Sequence, residues 1–411
     1  MKNRMAKRKE LVVGILAVAL VALLVLTACA PPPIVEEKTV QFGVIMPITG
    51  PVSATTQINV AGGEDYVRYF NEQEAIPGMQ IEYLWRDSAY QVPLFYSQYE
   101  KLVGAGVPLI RADEAAALMA IRGRLARDEV VMVMSGGGCH ELSYPEPGWV
   151  YGMIPTQSEQ AAVALEYFME NWKEERPPRL AFVGYEGLWG QEPRYATEYA
   201  RGLGFEVLPP ELVPMIVLDA TTLLLRLQEA GADLLYLQAI DTSSGPIVRD
   251  AERLGLLDQF RLAGASGAMS QRAIESIGVA SEGFLVVRPY PWFAETEVPG
   301  IKLMMDNQMK YRGKLMTEVE YLYGSVSAAV VCEAIKRAIE NVGYENLDGP
   351  AVKEALDGMK DFDVYGLASI TYKPDDHRGS TKAAVYEVRG GEIVRVSDWQ
   401  EAPSARDWEF E

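Results

Sequence analysis

Cys139 and His140 are neighbours in Ser135-Gly136-Gly137-Gly138-Cys139-His140-Glu141, and a thiol beside an imidazole is the raw material of a nucleophile and its base. Adjacent residues on a strand or loop point apart, however, and no third group is indicated. His140 and His377 are the only histidines, which leaves a histidine-based triad or a zinc site without material. The simpler reading of Cys139 is a loop cysteine that lines a pocket or is packed. The glycines do suggest a site, because Gly136, Gly137 and Gly138 let backbone N–H groups approach a ligand with no side chain between. Phosphate is a poor match: no Lys-Ser or Lys-Thr follows as in a Walker loop, and no Gly-x-Gly-x-x-Gly follows the first strand. The chemistry on offer is non-covalent binding, by a protein that is not an enzyme and uses no metal or cofactor.

This loop has to be positioned by what precedes it. Val130 to Met134 is an unbroken apolar run and reads as a strand buried on both faces, the kind found in parallel sheets. Ligands of open α/β sheets sit beyond the carboxyl ends of the strands, where the glycine loop would lie. The surrounding chain alternates in the same way. Strands are expected at 41–46, 81–85, 107–111 and 130–134, with helices at 60–73, 96–104 and 118–127. After Pro155 the pattern repeats, with helices at 160–173, 194–203, 221–230, 247–254 and 270–277 and strands at 179–184, 206–209, 234–238, 261–263 and 283–287. Helices at 304–311, 321–341 and 352–358 follow, then a meander over 362–372 and 383–396 with a Gly390-Gly391 hairpin turn. The fold class is α/β, with two doubly wound units.

The N-terminus carries an address. Five basic residues (Lys2, Arg4, Lys7, Arg8, Lys9) precede an uncharged apolar run from Leu11 to Leu26, followed by Thr27, Ala28 and Cys29, which is the build of a secretory signal. An uncleaved membrane anchor is the alternative, since the run is close to spanning length. The net charge is −19, and loss of residues 1–28 would take it to −23, which argues against nucleic acid and favours a soluble monomer. Residues 29–38, with three consecutive prolines, have the composition of a tether. Beyond Cys29 only Cys139 and Cys332 remain, too few for a disulfide framework, and both are expected as free thiols.

Several stretches together carry a resemblance: Gly43-Val44-Ile45-Met46-Pro47-Ile48-Thr49-Gly50-Pro51, Tyr69-Phe70-Asn71-Glu72, Ile76-Pro77-Gly78, Gly231-Ala232-Asp233, Ser281-Glu282-Gly283-Phe284 and Tyr372 to Arg378. In this order they resemble the extracellular solute-binding receptors of the branched-chain amino-acid family, which serve ABC importers. Leu26-Thr27-Ala28-Cys29 is similar to a bacterial lipobox, in which Cys29 carries the lipid after cleavage. The resemblance implies a type I periplasmic binding protein, two α/β lobes joined by a three-crossover hinge. It places lobe one at 39–157 plus 285–378 and lobe two at 158–284 plus 379–405, with closure around a small molecule between them.

The resemblance also assigns a site. The two hydroxyls that hold a ligand carboxylate in leucine-binding members fall at Ala115 or Ala116 and at Cys139, and the acid for an α-amino group falls at Ser266. The covering aromatic falls at Trp189 and a second aromatic position at Ile240. The implied ligand-binding set is Thr55, Ala116, Gly137, Gly138, Cys139, Trp189, Asp241 and Ser266, with Asp241, Glu114 or Asp113 as displaced partners for a cation. A tryptophan kept while hydroxyls and an acid are lost implies a less zwitterionic ligand, such as a carboxylate, an amide or a small neutral organic. An amino acid held by other residues is the alternative. The expected partners are the ligand, the membrane through the Cys29 lipid, and ABC permease subunits. A sensory module signalling to a membrane partner is the rival role, since fold alone does not fix function.

Overall fold

The computed structural model describes residues 38–411 apart from Gly137, Pro145 and Pro147. The expected signal segment, Cys29 and the tether up to residue 37 lie outside the described residues, as does the Gly137 site assignment.

The first sheet holds β1 (Lys38–Met46), β2 (Met79–Asp87), β3 (Leu109–Ala112), β4 (Val131–Met134) and β5 (Val150–Tyr151). All five run parallel in the order β2-β1-β3-β4-β5. Every residue of β3 and β4 is buried, because helices cover both faces. β5 is too short to show a periodicity and was not expected. Helix α1 (Ser53–Glu72) begins seven residues before the expected start at Val60, because its first turns are polar and carry no apolar stripe. Helix α2 (Val92–Gly104) agrees closely with expectation. The single helix expected over 118–127 is instead α3 (Ala115–Ile121), a 3₁₀ turn at Arg122–Arg124 and a last turn at Leu125–Asp128.

The chain then enters the second sheet through α4 (Gln157–Asn171), whose start Thr156 and Glu159 fix with a reciprocal capping box. Strands β6 (Arg179–Tyr185), β7 (Glu206–Val207), β8 (Glu211–Val213), β9 (Leu234–Gln238), β10 (Arg261–Gly264) and β11 (Leu285–Arg288) follow. Helix α5 (Asp241–Arg253) runs through Pro246, which removes one ladder bond without ending the helix, so the expected start at Ile247 is six residues late. The chain returns to the first sheet with α6 (Pro299–Arg312), α7 (Val319–Val342), α8 (Gly349–Asp357) and a small antiparallel sheet of β12 (Phe362–Asp363), β13 (Ser369–Lys373) and β14 (Asp376–Gly379). It ends in the second sheet with β15 (Lys382–Arg389), β16 (Glu392–Arg395) and β17 (Gln400–Glu401), β15 running antiparallel to β11. Gly390 and Gly391 close the β15–β16 hairpin at φ +60 and +81, the pair of positive values that a two-residue I′ turn requires.

The chain thus crosses between the sheets three times, over 152–156, 289–298 and 380–381. The expected lobe boundary at 285 is corrected here: β11 pairs with β10 and β15 in the second sheet, so the second crossing comes after Arg288. Tyr290, Trp292 and Phe293 pack in this crossing, with the Tyr290 hydroxyl donating to Met153 O at 3.3 Å in the first. Helix α7 lies on α1 at backbone contact: a Cβ on Gly62 would meet Tyr321 O at 2.1 Å, and one on Gly324 would meet Asn59 O at 1.9 Å. That contact fixes the start of α7 beside the polar start of α1.

Candidate functional site

Loops at the carboxyl ends of the strands of both sheets enclose a cavity of about 240 Å³. From the first sheet come Pro47 after β1, Tyr90 after β2, Asp113 to Ala117 after β3 and Gly136 after β4, together with Thr55, Thr56 and Asn59 of α1. From the second come Tyr185 to Trp189 after β6, Ile240 after β9, and Ser266 and Gly267 after β10. Glu320 and Tyr323 of α7 and Gln157 of α4 complete the lining.

Several polar donors of this lining are engaged within the protein. Thr55 Oγ1 donates to Val52 O at 2.8 Å and Thr56 Oγ1 to Pro47 O at 2.5 Å. Asn59 Nδ2 donates to Ser135 Oγ at 3.0 Å, while Asn59 Oδ1 accepts from the buried Arg111 at 2.7 Å. The Gly136 N–H donates to Asp113 Oδ1 at 2.9 Å. The Ser266 and Tyr323 hydroxyls hydrogen-bond to each other, and Tyr185 donates to Tyr90.

Acids remain. Asp113, Glu114, Glu186 and Glu320 line the cavity, and no Lys, Arg or His stands among the lining residues. Burial pushes the Glu114 carboxyl up to about 7; Asp113 and Asp87 push the same way, and the Ser88 hydroxyl that donates to it opposes them. Burial pushes Glu320 up to about 8, Asp241 adds to the shift, and Arg288 opposes it. Glu320 is half-buried and lines the cavity. Among the described residues no other residue hydrogen-bonds or ion-pairs with its carboxylate. Arg288 lies one layer behind, where it donates to Ser266 O and to Met269 O, rests over Trp292, and is lowered by burial to about 10.

Of the residues assigned from the sequence, Thr55, Ala116, Trp189 and Ser266 line this cavity, and so do Ile240, Asp113 and Glu114. Trp189 stacks on Tyr185 at 5.5 Å between ring centroids. Gly138, Cys139 and Asp241 are not brought to it. Gly138 lies against Pro155 and accepts from the Gln157 N–H at 3.1 Å. Cys139 is fully buried among the apolar residues beneath α3 and β4, and burial, with Glu192 and Glu141 nearby, pushes its thiol far above the usual range. His140 stacks on Tyr195 at 4.0 Å, and burial lowers it to about 4, so the two neighbours form no nucleophile and base. Asp241 accepts from the Ser270 N–H and hydroxyl at the start of α5 and faces Arg272 at 3.7 Å. Cys139 and Cys332 are both free thiols. The sequence reading missed Glu320, Tyr323, Asn59 and Tyr90, which reach the cavity from segments far apart in the chain.

Residues 39–392 match the sequence profile of the periplasmic binding protein family. The chain belongs to that family. It is therefore a binding protein and not an enzyme, with the type I periplasmic binding protein fold, from a family that binds small molecules outside the cytoplasm and works with ABC permeases. Among curated relatives, Leu/Ile/Val-binding protein homolog 3 of Brucella melitensis is 23% identical over 358 residues, covering 86% of this chain and 93% of the relative. The Leu/Ile/Val-binding protein of Escherichia coli is 23% identical over 271 residues, 66% of this chain and 72% of the relative. A branched-chain amino-acid ABC transporter protein from Thermus thermophilus, solved with bound valine, superposes with a TM-score of 0.82 at 25% identity, covering 89% of this chain and 97% of the other. Among the described residues of this binding protein no helix is long and apolar enough to cross a membrane.

Proposed function

We propose that this chain is a lipid-anchored solute receptor that captures a small organic molecule between its two lobes and delivers it to an ABC importer. The observation that carries the reading is the cavity itself, which takes its walls from both sheets, so that a bound solute touches both lobes at once. A ligand of that kind stabilises the closed arrangement by as much as its affinity for closed exceeds its affinity for open. Lobe one would comprise 39–157 with 289–378, and lobe two 158–288 with 379–405. Thr55, Ala116, Trp189 and Ser266 form the contact set. The Leu26-Thr27-Ala28-Cys29 sequence supports a lipid at Cys29, and the proline-rich segment after it supports a tether.

Thermal unfolding of the chain from Pro31 onward, scanned against amino acids, amines, carboxylates, amides and sugars, tests the capture. A ligand at a hundred times its dissociation constant adds about 2.7 kcal/mol to stability, so one solute class is expected to raise the unfolding temperature clearly. A panel in which no class moves it contradicts the reading.

A further inference from the structure

We propose that the solute is a small organic cation, an amine or quaternary ammonium without a carboxylate, whose charge sits between Glu320 and the Asp113–Glu114 pair against the rings of Trp189 and Tyr90. The inference rests on the capture reading above and goes further by naming the charge of the ligand.

Three independent features of the lining converge on this. The first is charge: four carboxyl groups and no base face the cavity. A carboxylate ligand, one of the kinds that the sequence allows, would enter beside acids with no cation among the lining residues to meet it. The second is the state of the donors. The Gly136 N–H, which stands where an anion would seek a backbone donor, is already held by Asp113, and the Thr55, Thr56 and Asn59 donors point to protein acceptors. An anion at those positions would have to displace these bonds, and the N–H groups of Ala115 to Ala117 that open α3 stand directly after the carboxyls of Asp113 and Glu114, whereas a cation needs acceptors only. The third is Glu320, half-buried, lining the cavity and lacking any side-chain donor from another residue among the described residues. The ionised form of a carboxyl in that condition is costly unless a donor arrives with the ligand. Trp189 and Tyr90 line the same cavity, and aromatic rings attract a cation as well.

The charges acting on Glu320 are Asp241 and Glu318, which raise its carboxyl, and the buried Arg288, which opposes them, while the exposed Arg272 faces Asp241 and Glu318, so the two arginines reduce the local negative charge without cancelling the lining. Around Glu114 stand Asp113 and Asp87 and the Ser88 hydroxyl. With Glu114 held near 7 and Glu320 near 8, both carboxyls are partly protonated at neutral pH. A cation that binds there favours the ionised forms and releases protons to the buffer.

The test is calorimetric titration of the chain from Pro31 onward with putrescine, choline, L-leucine and hydroxybenzoate, and with butanediol and dimethylbutanol as uncharged counterparts of the two cations. Binding is expected for putrescine or choline and not for its uncharged counterpart. It should be accompanied by proton release, measured as a heat that changes with the ionisation enthalpy of the buffer. Glu320→Gln should weaken the cation roughly tenfold or more, and Glu114→Gln should also weaken it, with unfolding temperatures of the free variants at or above that of the parent. Binding of L-leucine or hydroxybenzoate without binding of either cation overturns this inference and leaves the capture reading standing. Cation binding that Glu320→Gln leaves intact overturns the assignment of the site, and a panel without any binding overturns both readings.

Discussion

Glu320 concentrates the energetics of the site in one side chain. Its carboxyl titrates near 8 in the folded protein against an ordinary 4.5, so the folded chain binds this proton more tightly than the unfolded one. Between those values the native state carries more protons, and linkage makes stability fall as pH rises until it levels off above the folded value. Glu114, held at about 7, acts in the same direction. Urea unfolding of the ligand-free protein at about pH 5 and about pH 8 should therefore show a loss of stability attributable to these groups. Glu320→Gln should make the loss shallower, and equal slopes for parent and variant would contradict the burial assigned to Glu320. The two halves of the acidic lining differ in how legible they were. Asp113 and Glu114 stand directly after an apolar run and were named from sequence as cation partners. Glu320 lies some two hundred residues further on and reads as a first-turn acid that suits a helix N-terminus. Cys139 shows the opposite failure: its place after β4 was right, but a loop with three glycines gives no period from which to read which way a side chain turns.

At the scale of elements, the alternation of apolar runs with helical stretches was enough to place most strands and helices, because buried parallel strands announce themselves by composition. What escaped was either too short to have a period, as with β5 and β8, or polar where it faces the cleft. The first turns of α1 are of the second kind, since Thr55, Thr56 and Asn59 line the cavity and so lack the stripe that marks a helix. The functional part of an element is thus the part whose pattern departs from a core-facing one. The segment from Leu11 to Cys29 belongs to this scale too. If Cys29 carries a lipid, the parent chain expressed in a bacterial host should partition into the membrane fraction and Cys29→Ser should not take up labelled palmitate. Uptake by the variant, or a parent chain without label, would count against the tether.

At the scale of the molecule, three chain crossings join the two sheets, and buried charge ties them. Arg378 of β14 pairs with Glu159 of α4 at 2.6 Å, and the buried Glu192 accepts from the His140 N–H at 2.8 Å and the Ser158 N–H at 3.1 Å. The crossings were foreseen from the resemblance and not from any local pattern, because which sheet a strand joins depends on partners distant in sequence; β11 was assigned to the wrong lobe for that reason. The cavity between the sheets is where we propose that solute is held. The most direct test is equilibrium binding of the identified solute to the parent and to Ala116→Trp, which puts an indole into the cavity from the exposed side chain position after β3. We expect one solute per chain for the parent and a loss of roughly a hundredfold or more for the variant, a barrier of the size that overpacking a filled site imposes, with the ligand-free unfolding temperature unchanged. Binding by Ala116→Trp as tight as by the parent would show that the solute lies elsewhere.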